Sequence, residues 1–127
     1  MNNKIIKTAI LLGMIAIILG AFGAHALKKV LSVEQLATFE TGIKYQMYHA
    51  LFLLFLGLNN NIVEKAKKTI YWLTILGVVF FSGSIYLLST MSLTNINFKP
   101  IGIITPIGGT MLILAWALLF LQFVKKK

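Results

Sequence analysis

Thr8–Ala24 reads TAILLGMIAIILGAFGA, an uncharged run bracketed by Lys4 and Lys7 before it and by Lys28 and Lys29 after it. A helix needs about 20 apolar residues to cross the hydrocarbon core of a bilayer, and the stretch 5–26 meets that length. Within it Ala9, Gly13, Ala16, Gly20 and Gly23 recur at intervals of four, three, four and three. That pattern puts the small residues on one helical face. In lipid such a face lets a second backbone approach closely, so Gly13, Ala16, Gly20 and Gly23 are read as helix-packing positions, with a substrate groove as the second reading. The same stretch imitates a secretory signal, with a basic start, an apolar run and the A-x-A form Ala24-His25-Ala26. Cleavage after Ala26 would leave three spans. The run is long for a signal and its glycine face suits packing, so the segment is expected to be retained.

Outside this stretch the composition makes the same argument. Of 127 residues 58% are hydrophobic and 12% charged, whereas a soluble domain carries about a quarter charged residues. Too little polar surface remains to cover a water-soluble globule, so lipid is the solvent for much of the chain. The expected fold is all-α: one membrane domain, 1–127, built as a bundle of four transmembrane helices with approximate spans 5–26, 41–58, 69–93 and 101–124. The second span is the least apolar, because only Tyr45–Leu58 is free of charge. Ahead of it Ser32 and Gln35 have the spacing of a capping box, with Glu34 in the first turn, so a helix starts at Val33. Leu36, Phe39 and Ile43 form a stripe on it, read as a short interfacial helix leading into the second span. Ser82, Gly83 and Ser84 inside the third span, and Gly108 and Gly109 near the start of the fourth, are further packing positions. Pro106 is tolerated beside them because early helical amides lack partners anyway.

The net charge is +9, and all twelve cations are lysines flanking apolar segments. No basic stripe interleaved with aromatics appears, so nucleic acid is not expected as a partner. In a four-span chain one side holds Lys4, Lys7, Lys65, Lys67, Lys68, Lys125, Lys126 and Lys127, and the other holds Lys28, Lys29, Lys44 and Lys99. Lysine excess marks the cytoplasmic side, which predicts both termini in the cytoplasm. There is no cysteine, which excludes disulfides, thiolate metal sites and cysteine nucleophiles.

One polar group stands out. His25 lies at the outer end of the first segment and His49 is read near the outer end of the second, and antiparallel neighbours joined by a short connection would bring these ends together. Tyr45, Gln46 and His49 share a helical face, with Glu40 a few residues earlier. The candidate cluster is therefore His25, His49, Glu40, Tyr45 and Gln46. Metal ligation, haem ligation between two imidazoles and proton relay are the functional readings. Hydrogen bonding across helices is the favoured one, because two histidines without a third ligand motif are a weak metal signal. No G-x-S-x-G elbow, phosphate-cradling loop or H-E-x-x-H occurs. None of the three acidic residues, Glu34, Glu40 and Glu64, falls within an apolar core, which lowers the case for carboxylate-coupled exchange. No catalytic residue and no cofactor are assigned.

Four strings in order carry a family resemblance: Gly20-Ala21-Phe22-Gly23-Ala24-His25-Ala26-Leu27; Phe39-Glu40-Thr41-Gly42 with Tyr45-Gln46-Met47-Tyr48-His49-Ala50-Leu51; Phe81-Ser82-Gly83-Ser84-Ile85-Tyr86; and Ile104-Thr105-Pro106-Ile107-Gly108-Gly109 followed by Ala115-Trp116. Together they resemble the UPF0382 (DUF423) family of small bacterial inner-membrane proteins, over nearly the whole chain. The resemblance implies a multi-pass protein of the bacterial cytoplasmic membrane with its first segment kept. It brings no reaction, ligand or catalytic residue with it. The expectation is a non-enzymatic membrane protein that lies in the bilayer and packs with itself or with another membrane protein. The alternatives are a small-solute or proton transporter using the outer His/Glu/Tyr cluster, and a haem- or metal-binding membrane subunit.

Overall fold

The computed structural model describes residues 2–97 and 99–125. Lys126 and Lys127, two of the lysines that set the predicted topology, lie outside the described residues. Every regular element among the described residues is helical. Four long helices form the bundle: α1 over Asn2–Leu27, α2 over Val33–Leu58, α3 over Glu64–Ser89 and α4 over Lys99–Val124, whose first turn, Lys99–Ile103, is 3-10. Three of them, α1, α3 and α4, are long and apolar enough to cross a membrane. α2 matches them in length but carries Lys44, Gln46 and His49 near its centre.

The chain folds as two helical hairpins, α1 with α2 and α3 with α4, joined where α2 packs on α3. The hairpins share an irregularity. α1 opens into a five-residue π turn at Leu19–Gly23 and α3 into another at Val79–Gly83. Each turn ends on a glycine, after which α-helix resumes. Single-turn π segments of this kind often mark functional positions within helices.

Local chemistry accounts for the helix ends. The capping box at Ser32 is present in full: Ser32 Oγ accepts from the Gln35 amide at 3.1 Å, and Gln35 Oε1 accepts from the Ser32 amide at 2.9 Å. From there α2 runs unbroken to Leu58. The separate interfacial helix expected before the second span is therefore not a distinct element but the first turns of α2. Phe39, Gly42, Gln46, His49, Leu53 and Leu56 are all buried, and their three- and four-residue spacing is one continuous stripe with no register break to end a helix. α3 starts at Glu64, before the expected span, and stops at Ser89, because Thr90 leaves the helical region at φ −109°. Residues 91–94 form a separate turn, closed by Asn95 at φ 59°, a left-handed conformation that asparagine tolerates better than most residues. In α4 the missing amide of Pro106 falls in the first turn after Ile103, where amides lack intrahelical partners.

The core is apolar toward the lysine-rich end, with Ile5, Leu53, Leu56, Ile70 and Ala115 fully enclosed. Glycines set the closest approaches, but not mainly those of the first segment. A Cβ on Gly13, Gly20 or Gly23 would meet its neighbours at 3.6 Å or more, ordinary contact. A Cβ on Gly108 would lie 2.7 Å from the Phe80 carbonyl carbon and 2.9 Å from the Gly77 carbonyl oxygen, and would overlap the Phe81 amide nitrogen. At that crossing α3 and α4 touch backbone to backbone, the geometry that small residues permit in membranes. Gly42 packs under Tyr86 and Gly57 under Ile5 and Ile6 with Cβ positions under 3.0 Å from side-chain atoms. Gly109 makes only side-chain contact with Phe81, at 3.5 Å, and Gly83 has nothing within 4 Å. Gly83, expected to pack, faces open space at the end of its π turn.

Candidate functional site

α2 supplies the polar groups that tie the bundle together. Gln46, 4% exposed, donates from Nε2 to the Leu12 carbonyl of α1 at 2.9 Å and accepts at Oε1 from the Tyr86 hydroxyl of α3 at 2.7 Å. A carbonyl can only accept, which sets the amide's orientation. Ser82 Oγ donates to the Gly42 carbonyl at 2.7 Å, and Ser84 bonds Thr105 across to α4. His49, also 4% exposed, donates from Nδ1 to the Tyr45 carbonyl at 2.6 Å and accepts at Nε2 from Trp116 Nε1 at 3.0 Å. Indole N–H is a donor only, so His49 must be the neutral Nδ1–H tautomer. Among the described residues no buried side-chain nitrogen or oxygen lacks a partner.

The predicted cluster is split by this arrangement. Gly23 faces Phe39 and Gly13 faces Ala50 and Met47, so His25 is level with the start of α2 while His49 is level with Gly13. Twelve helical residues separate those levels, roughly 18 Å of rise. His25 and Glu40 are exposed near the outer end, with Glu40 beside Gly20, Ala24 and Lys44. Tyr45 is half-exposed and packs on the Phe81 ring at 4.9 Å. Only Gln46 and His49 turn inward. The two imidazoles do not converge, because sixteen residues of α2, more than four turns, separate His49 from Val33 and the connection to α1. Haem ligation between them therefore has no geometric basis, and the Nε2 lone pair of His49 is already engaged. No group of three or more His, Asp or Glu side chains positioned for a metal occurs among the described residues.

Sequence reasoning missed Tyr86, Trp116 and Lys67. A signal for the first two existed: phenol and indole within apolar runs need hydrogen-bond partners when buried. Lys67 had none, because it reads as one more interfacial cation. It is 1% exposed, donating to Asn2 Oδ1 at 3.0 Å and to the Asn59 carbonyl at 2.6 Å. Asn59 is the C-cap of α2, so the ammonium sits on the negative end of that helix dipole. Nearby, Lys4 lies 4.9 Å from the Trp72 ring centre and the Thr8 and Tyr71 hydroxyls bond at 2.9 Å, closing α1 on α3.

Between α2 and α4 the contact is made by rings. Trp116 packs on Phe52 at 4.4 Å and on His49 at 6.1 Å, and Phe55 faces Phe123 at 6.1 Å. On the outer side of this seam lie two adjoining recesses that share Trp116. One, of 430 Å³, is lined by Tyr45, His49, Phe81 and Ile113; the other, of 520 Å³, by Tyr48, Phe55, Phe120 and Phe123. The second π turn supplies Phe81, so the irregularity in α3 shapes the upper recess. The surfaces are almost wholly apolar and open sideways. They can hold an apolar body; the polar side chains on their walls are His49, with both ring nitrogens engaged, and the phenols of Tyr45 and Tyr48.

Sequence relatives give the family. A UPF0382 membrane protein of Staphylococcus saprophyticus is 42% identical over 123 residues, covering 94% of this chain and 98% of its own. The UPF0382 membrane protein YwdK of Bacillus subtilis is 37% identical over 125 residues, covering 94% and 98%. The UPF0382 inner membrane protein YgdD of Escherichia coli is 35% identical over 118 residues, covering 91% and 85%. No solved structure matches. Residues 19–109 match a family described as protein of unknown function (DUF423). The chain belongs to the DUF423 (UPF0382) family of membrane proteins.

Proposed function

We propose that this protein is a non-enzymatic binding module of the bacterial cytoplasmic membrane, crossing it four times with both ends in the cytoplasm and holding another membrane component along the seam of α2 and α4. α2 packs lengthwise between α1 and α3, from Phe39 at one end to Gly57 at the other, and its Gln46 and His49 point into the bundle rather than at lipid. That explains how a helix of modest hydropathy can cross. One observation carries the binding role: among the described residues every buried polar side chain is hydrogen-bonded within the bundle, while the two recesses along the seam are apolar. A transporter needs polar groups free to meet a solute, and an enzyme needs groups free to exchange protons. Proteoliposomes under an imposed pH gradient provide the test. Proton uptake equal to that of empty vesicles, unchanged by His49→Ala or Glu40→Gln, is the expected result. A protein-dependent flux abolished by either substitution would replace the binding module with a transporter.

A further inference from the structure

The seam between α2 and α4 has a direction. It begins beside Gly109 and Tyr45 and ends at Phe55 and Phe123. From Gly109 to Phe123 the helix rises roughly 21 Å, against about 15 Å for one leaflet of a 30 Å hydrocarbon core. The end at Phe123 is followed by exposed Lys125. The same end of the bundle carries exposed Lys4, Lys7, Lys65 and Lys68, with Glu64 its single acidic residue. A ring-lined apolar groove somewhat longer than one leaflet, ending beneath a strongly cationic rim, is complementary to one occupant in polarity and charge. We propose that the seam is a binding site for an anionic glycerophospholipid of the inner leaflet, one acyl chain lying along Phe55, Trp116, Phe120 and Phe123 and the phosphate held at Lys125. The inference rests on the binding-module reading and names its ligand class. Lysines beside a membrane surface attract anionic lipid, and ring faces pack on methylene chains without needing a polar partner.

Trp116 reports on the groove directly, because it lines both recesses. Trp72→Phe leaves Trp116 as the sole tryptophan and keeps a ring beside Lys4. This variant would be reconstituted into phosphatidylcholine vesicles containing a small fraction of lipid brominated at mid-chain, either phosphatidylglycerol or phosphatidylcholine. Far-UV circular dichroism checks that the fold is retained. Quenching of Trp116 should show a preference for the brominated phosphatidylglycerol of roughly fivefold, the attraction of about one lysine. The preference should shrink toward one when Lys125, Lys126 and Lys127 are all replaced by glutamine, and at high salt. Equal quenching by the two lipids overturns the anionic-lipid site while leaving the binding-module reading standing. Quenching by neither, with energy transfer between labelled copies that rises with protein density, means a second copy covers the groove and also overturns it. Failure of the binding-module reading would appear instead as proton flux.

Discussion

Replacing Gln46 by leucine removes a side chain of α2 that bonds α1 and α3 at once. The volume is nearly kept, so the loss is of hydrogen bonds rather than packing. Interhelical hydrogen bonds in membrane proteins average about 0.6 kcal/mol and reach about 1.7 kcal/mol. Two are lost, to the Leu12 carbonyl and from the Tyr86 hydroxyl. The Leu12 carbonyl lies within α1 and keeps its intrahelical partner, whereas the partly buried Tyr86 hydroxyl loses its amide acceptor and keeps Ser82 as its neighbour. The expected destabilisation is about 1–3 kcal/mol. Tyr86→Phe removes the second bond together with the hydroxyl's contact to Ser82 and should lower stability by about 0.6–1.7 kcal/mol. In the double variant the two losses overlap, leaving a coupling of about 0.6–1.7 kcal/mol. Reversible unfolding in mixed micelles, followed by circular dichroism, measures all four corners of the cycle. If the two substitutions add to within about 0.3 kcal/mol, Gln46 and Tyr86 are not bonded and the account of α2 as the polar centre of the bundle fails.

Gly108→Ala should destabilise by about 1–3 kcal/mol, because its methyl meets α3 backbone that cannot rotate away; Gly83→Ala, with open space around it, should be neutral or stabilising by up to about 1 kcal/mol, and thermal melts of the pair separate the two. Lys67→Met should cost about 1.5–3 kcal/mol from its two charge-assisted bonds and loosen the start of α1 from the Asn59 turn, read as faster proteolysis near Asn2. A cysteine at Asn60 should resist an impermeant thiol reagent in intact cells while one at Ser32 reacts, and the reverse pattern would invert the proposed topology. Gently purified protein should show no visible absorption band that His25→Ala or His49→Ala removes; a stoichiometric band lost in either would restore a ligand role for that imidazole.

Much of the architecture is legible without the structure, and the reasons are local. The apolar run of α1, the capping box at Ser32 and the lysine clusters each act over a few residues or on the chain as a whole, so pattern and composition reveal them. The continuity of α2 was also present in the sequence, as the spacing from Phe39 to Leu56, but the charges at Glu40 and Lys44 obscured it. Those side chains point outward and leave the buried stripe intact. The candidate cluster was legible only in part. Gln46 and His49 were correctly placed on one face, but reading His25 beside His49 treated a position near the middle of a long helix as though it were its end.

By itself, the sequence determined the class of solvent, the number of long helices and the lysine-rich rim, because hydrophobic length and charge position act without reference to a neighbour. Tertiary structure alone decided which small residues matter and which polar residues meet. Gly108 is constrained only because α3 crosses it; Gly83 is free because its own Cβ position faces open space at the end of the π turn. His49 bonds Trp116 across 67 residues, and Gln46 bonds Tyr86 across 40. Such pairs depend on helix register and crossing, which packing of the whole bundle sets.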